Sequence, residues 1–185
     1  MEQKERMDQG LIYDPADNRI STEQTSCLDA QYEFNATRPS EMKKRAALLK
    51  QMLGAIGENC YIEPPFRANW GGKHVYMGNN VYANFNLTVV DDGNIYIGDN
   101  VMFGPNVTIA TANHPILPEL REKGLQYNKD VHIGNDSVIG AGSVVVKDIP
   151  ANVVAVGNPC RVLREISQHD REYFYRNERI DWENL

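Results

Sequence analysis

The chain has 185 residues and a formal net charge of −6. That length can bury a real core as one or two small domains, while the acidity argues against a general nucleic-acid binder, which needs a basic face. No apolar run approaches the length of a membrane span.

Residues 1–57 read as a helical segment. The start is charged (Glu2, Lys4, Glu5, Arg6) with no apolar stretch behind it, so a signal peptide is not expected. Gln3 to Gln9 suits a short helix ended by Gly10. Pro15 then biases Asp14 toward extended backbone. A second helix is predicted over 22–35, with Leu28, Tyr32 and Ala36 on one face. Pro39-Ser40 opens a third, with Ser40 as its N-cap. Met42, Ala46, Leu49, Leu53 and Ile56 form its apolar stripe, and Gly57 ends it. These helices are expected to cover an end or side of the residues beyond 57; a sharper reading has them also wall a substrate pocket.

Residues 58–164 obey another rhythm. Apolar residues recur every six at Met77, Ala83 and Val89, at Ile97, Phe103 and Ile109, and at Ile133, Ile139 and Val145. A second inward set lies four residues on, at Val81, Leu87, Val101, Val107, Ser137 and Ser143. A period of six fits neither an amphipathic helix nor a hairpin. It fits a triangular coil of three short faces and about 18 residues. Asn79, Asn80, Asp99, Asn100, Asn135 and Asp136 suit its corners, since they tolerate left-handed backbone. The predicted fold class is mainly β: a left-handed parallel β-helix of hexapeptide repeats behind an N-terminal helical segment. Ile62 and Ala68 mark an irregular first coil. Residues 112–130 break the rhythm as a protruding loop, and a long loop leaving a rigid solenoid is more often functional than decorative. In the tail, 165–185, Tyr173, Phe174, Tyr175 and Trp182 are expected to pack back on the body.

Chemistry is sparse. Cys27, Cys60 and Cys160 are odd in number and widely spaced, which suggests neither disulfides nor a metal site and suits a reducing cytoplasm. His114 stands where the repeat gives way to the loop, and an imidazole can take a proton from a bound hydroxyl near neutral pH. A lone histidine is usually ordinary surface, which is the reading for His74, His132 and His169. With an 18-residue coil, positions near 84 and 102 stack, so Asn84 and Asp92 share one side of the stack or face a neighbouring subunit. By itself Asp91-Asp92-Gly93 is a solvated turn. Lys147, Arg161 and Arg164 cluster late in an acidic chain and suit phosphates. No nucleophile, Walker or dinucleotide signature is present, which points to direct transfer with a general base.

At Tyr32-Glu33-Phe34-Asn35, Arg38-Pro39-Ser40-Glu41, Glu63-Pro64-Pro65-Phe66, Tyr82-Ala83-Asn84-Phe85-Asn86, Asn113-His114-Pro115, and Lys147-Asp148-Ile149-Pro150 through Pro159-Cys160-Arg161, the chain resembles the galactoside and maltose O-acetyltransferases of the hexapeptide-repeat superfamily. The resemblance implies a cytoplasmic homotrimer, working without a metal, that moves acetyl from acetyl-CoA to a sugar hydroxyl at sites between subunits. It makes His114 the general base and Asn84 its neighbour at the reacting centre. Asp14, Asn69, Tyr82 and Asp92 would line the acceptor site, and Ala141, Lys147, Arg161 and Arg164 would hold CoA. Asn69 stands where relatives carry Ser or Asp, and Val146 replaces a Thr. The larger departure comes after Ile133-Gly134-Asn135, where a coil holding a Val-Trp-Ile-Gly run is missing. Its loss should bring Lys147 nearer to His114 by roughly 4.8 Å, one strand spacing. The expected function is sugar O-acetylation. The alternative is a trimeric sugar-binding scaffold whose acetyl-CoA binding is impaired by the missing coil.

Overall fold

The six-residue rhythm closes into stacked triangular turns of chain. A computed structural model describes residues 1–185, and all of the inward positions named above, from Met77 to Ser143 and Val145, are buried. Coil one carries β1 (Ala55–Ile56), β2 (Tyr61–Ile62) and β3 (Arg67–Ala68); coil two carries β4 (Val75–Met77), β5 (Tyr82–Ala83) and β6 (Thr88–Val90). Coil three carries β7 (Ile95–Ile97), β8 (Met102–Phe103) and β9 (Thr108–Ala110), then the loop, whose base is the antiparallel pair β10 (Ala112–Asn113) and β11 (Tyr127–Asn128). Coil four carries β12 (Val131–Ile133), β13 (Val138–Ile139) and β14 (Val144–Val145), followed by β15 (Val153–Val156) and β16 (Arg161–Glu165).

Stacking the coils makes three faces. Face A orders β1-β4-β7-β12, face B orders β2-β5-β8-β13-β15-β16, and face C orders β3-β6-β9-β14. All the pairs on the three faces are parallel except β15 with β16. The repeat thus begins at Ala55, inside the stretch expected to be helical. The coil length also differs from expectation: Tyr82 lies against Met102 and Val89 against Ile109, a step of 20 residues. The additional residues sit in the corner at Asp91 to Asn94, between β6 and β7. Position 84 therefore stacks over 104, not 102.

The other corners are held by amide ladders. Asn59, Asn80, Asn100 and Asp136 all have positive φ, between 56° and 59°, and each asparagine amide donates to the next side chain along the stack, at 3.2, 3.0 and 2.8 Å. Repeating one short polar residue at one corner offsets the cost of the left-handed backbone, because its side chain gains a partner in every coil. Ser137 and Ser143 point inward without orphaned hydroxyls, donating to the Pro150 and Gly140 carbonyls at 2.8 and 2.6 Å.

Three helices precede the coils: α1 (Gln3–Asp8), α2 (Asn18–Asn35) and α3 (Met42–Met52). Gly10, at φ +62°, ends the first as expected. The apolar faces differ from the sequence reading. On α2, Ile20 and Phe34 are buried while Tyr32 is 77% exposed. On α3, the buried set is Arg45, Leu48, Leu49 and Met52, the N-cap position is Glu41 rather than Ser40, and the helix ends before Leu53 because the chain must turn into β1. What α2 contributes is polar. β3 is the edge strand of face C, and Gln24, Gln31 and Asn35, on one helical face, bond to its backbone: Asn35 to Phe66 N–H and C=O at 2.8 and 2.7 Å, Gln31 to Ala68 N–H, and Gln24 to the Asn69 carbonyl at 2.9 Å. An exposed strand edge is a liability, and here a helix covers it with side-chain amides.

The protruding loop carries α4 (Pro118–Arg121), and the tail beyond β16 holds α5 (Gln168–Glu172) and the hairpin β17 (Tyr173–Tyr175) with β18 (Glu178–Arg179). This tail does not pack back as expected. Phe174, Tyr175 and Trp182 stay more than half exposed, because the tail folds on itself: His169 stacks on Tyr173 at 4.7 Å, and Trp182 Nε1 donates to the Arg171 carbonyl at 3.0 Å.

Candidate active site

A cleft of about 430 Å³ opens over coils one and two of face C. Its floor is Arg67, Ala68, Asn69 and Thr88 to Val90; Gln31 of α2 forms one wall, and Ala112, His114 and Gln126 of the loop form the other. The helical segment therefore does wall a pocket.

His114 leaves coil three at the edge where face C turns toward face A. Its Nδ1 lies 3.1 Å from the Leu125 carbonyl across the loop hairpin. A carbonyl only accepts, so Nδ1 carries a proton and donates, and in the neutral ring Nε2 is the nitrogen with the lone pair. Asp92, in the wide corner at this same edge, is only 5% exposed, and Asp91 is fully buried. The solvated-turn reading of this corner is overturned. Asp91 accepts the Trp70 and Gly72 N–H groups at 2.7 and 3.1 Å, and burial pushes its carboxyl up from the usual range. Asp92 gathers side chains: it accepts from Asn69 Nδ2 at 2.8 Å, Gln126 Nε2 at 3.1 Å, the Tyr13 hydroxyl at 3.3 Å and Trp70 Nε1 at 3.4 Å. Burial, and then the Asp92 charge, push the Tyr13 phenol well above its ordinary range, so Tyr13 stays protonated and donates. Tyr13 also pairs with the loop through two backbone bonds to Gln126, at 2.9 and 3.1 Å.

The other sequence-predicted residues stand elsewhere. Asp14, next to Tyr13, is not in the cleft lining; its carboxylate accepts the Ala16 N–H at 2.9 Å. Asn84 and Tyr82 lie at the opposite edge, where face B turns into face C, with Tyr82 stacked on Tyr61 at 6.4 Å. Between Asn84 and the His114 edge lie the turn at Asn86 and the strand β6, Thr88–Val90, so face C separates the two edges by on the order of 10 Å at about 3.3 Å per residue. The Asn84 side-chain oxygen accepts the Phe85 N–H at 2.8 Å, which leaves its NH₂ free to donate.

Ala141 lies on the Asn84 edge. There the chain is pared to the backbone: a Cβ on Gly104 would come within 2.6 Å of the Ala141 nitrogen, and Gly142 has φ +71°. Lys147 lies on the His114 edge; the pairing of Val144 with Thr108 and Val145 with Ile109 places it on the rung directly after Thr111. Arg161, opposite Val156, ends near the Ala141 corner, while Arg164 lies opposite Val154 and is held by both oxygens of Asp170 at 2.7 Å. The three late cations are therefore not one patch, and Arg164 already has its anion. No cluster of three or more His, Cys, Asp or Glu side chains has the geometry of a metal site.

Sequence reasoning missed Tyr13, Trp70, Gln126, Arg67 and Gln31. Only Gln126 carried any signal, through its place in the loop.

A parallel β-helix with a polar cleft beside its loop exit is placed in a class by comparison. The maltose acetyltransferase hexapeptide capping motif matches residues 6–57. The galactoside O-acetyltransferase of Lactococcus lactis is 46% identical over 199 residues, covering 98% of this chain and 96% of the relative. That alignment is longer than the chain itself, so the relative carries residues absent here. Among solved structures, a galactoside acetyltransferase in complex with coenzyme A superposes with a TM-score of 0.84 at 40% identity, covering 98% of this chain and 99% of that one. A maltose O-acetyltransferase from Clostridium difficile gives 0.82 at 39% identity, covering 91% and 99%. The chain belongs to the galactoside and maltose O-acetyltransferase family, and its repeat is the left-handed parallel β-helix of the hexapeptide acetyltransferases.

Proposed function

We propose that the protein transfers acetyl from acetyl-CoA to a hydroxyl of a sugar acceptor, in one direct step. The observation that carries this reading is the His114–Leu125 hydrogen bond, which leaves Nε2 as a base in a cleft lined by polar side chains. Nε2 takes the proton of the acceptor hydroxyl as its oxygen attacks the thioester carbonyl. A backbone N–H steadies the oxyanion. The carbon–sulfur bond then breaks, and the imidazolium returns its proton to the departing thiolate.

The two edges of face C support a site shared between copies. The base, Asn69 and Asp92 are on one edge; Asn84, Tyr82 and the glycine-lined groove by Ala141 are on the other. A closed ring of three prisms brings each His114 edge to a neighbour's Asn84 edge. Beyond coil one, whose Arg67 is charged and exposed, the outward residues of face C suit burial, since Thr88, Val90, Thr108, Ala110, Val144 and Val146 carry no charge. In that arrangement the pantetheine arm runs along the bare backbone at Gly104 and Gly142, with Lys147 and Arg161 near its phosphates. The shortened repeat favours a second reading, a sugar-binding trimer with impaired acetyl-CoA binding. Thiol release from acetyl-CoA in the presence of galactosides or maltose separates the two. Acceptor-dependent release, lost by about 10²–10⁴-fold in His114→Ala, supports transfer. Saturable sugar binding without any thiol release supports the scaffold.

A further inference from the structure

The His114 ring is oriented by a carbonyl, and a carbonyl orients only as well as its own segment is held. Leu125 lies in the loop, beyond α4, between exposed Gly124 and half-buried Gln126. What fixes it is the next residue. Gln126 pairs in both directions with the Tyr13 backbone, and its Nε2 donates both to the Tyr13 hydroxyl and to buried Asp92. Asp92 is anchored from below by Asn69 and Trp70, and its backbone carbonyl accepts from buried Asn128, whose amide also reaches the Met7 carbonyl at 3.1 Å. The chain of contacts from His114 to the rigid corner of coil two thus runs Leu125, Gln126, Asp92.

The geometry points to Gln126 as a positioning residue for the base: its side-chain amide, clamped between Tyr13 and Asp92, sets the height of the Leu125 carbonyl and so the direction of His114 Nε2. This rests on the reading of His114 as the base. Gln126 holds no reacting atom. Its neutral amide donates to Asp92 while adding no charge to a cleft in which Arg67 and Asp92 are the other charged side chains. Leucine has nearly the same bulk and no donor, so it would leave Asp92 short of one partner and free the segment to shift. A displacement of the base by about 1 Å costs on the order of 10²-fold in rate.

The test is a double-mutant cycle on kcat, read by single-turnover acetyl transfer. Gln126→Leu should lower kcat by roughly 10–100-fold while the KM for acetyl-CoA stays within about twofold. In a His114→Ala background the same substitution should cost nothing further, because residues that act through one group are not additive. An equal loss in both backgrounds, or an unchanged kcat, overturns the proposal. A full rate in His114→Ala alone would instead overturn the base reading beneath it. Should Gln126→Leu lose its native circular dichroism, Tyr13→Phe, which removes only the hydroxyl from the clamp, is put through the same cycle and judged by the same outcomes.

Discussion

The two edges of face C are built from the same repeat and differ in what fills them. The His114 edge is wide and polar inside: its corner takes additional residues, and it buries two carboxylates under donors drawn from the turn after α1, coil one and the loop. The Asn84 edge is narrow, and beside Ala141 its coils approach so closely that a Cβ on Gly104 would collide with the next rung. A base has to be held in one direction against thermal motion, which takes crossed hydrogen bonds. A long flexible cofactor arm needs only a smooth track and a few terminal cations. In the proposed shared site each edge would supply one half of the chemistry.

The largest effect should come from the polar edge. Asp92→Ala removes the shared acceptor of Tyr13, Asn69, Trp70 and Gln126, and unpaired buried donors cost about 1–3 kcal/mol each. Tyr13 and Trp70 are the buried donors of the four, so a loss of about 2–6 kcal/mol in urea unfolding is expected, together with a fall in transfer as the Gln126 side chain loses its anchor on coil two. The narrow edge should respond less in stability and differently in function. Gly104→Ala, meeting backbone at 2.6 Å, should cost about 1–3 kcal/mol through overpacking and raise the KM for acetyl-CoA more than that for the sugar. Equal effects of the two substitutions on acceptor and cofactor KM would erase the distinction between the edges.

Much of this architecture is legible in the sequence. The inward positions follow from spacing alone, since a residue every six in a triangular coil has nowhere else to go, and Met77, Phe103 and Ile139 are buried accordingly. His114 is legible because it sits where the rhythm stops. The polar clamp is not. Asp92 reads as a turn residue, and only folding places it under Tyr13, 79 residues away. The wide corner is hidden for a related reason: two changes of phase are visible in the hexads, but not that the extra residues house Asp91 and Asp92. The faces of α2 and α3 escape an apolar-stripe reading because α2 uses its amides, not its apolar side chains, to seal the β3 edge. The separation of Arg161 and Arg164 from Lys147 depends on β16 folding back on face B.

The most direct test of the shared site is complementation between two inactive chains. His114→Ala and Asn84→Ala proteins, each measured alone and then unfolded together in equal amounts and refolded, should assemble mixed trimers. In these, some edges pair an intact His114 with a neighbour's intact Asn84. Random mixing predicts recovery of about one quarter of the native sites, as expected for a ring of equivalent interfaces. Activity no greater than the mean of the two separate variants would mean that both residues of a site come from one chain, and would contradict the account.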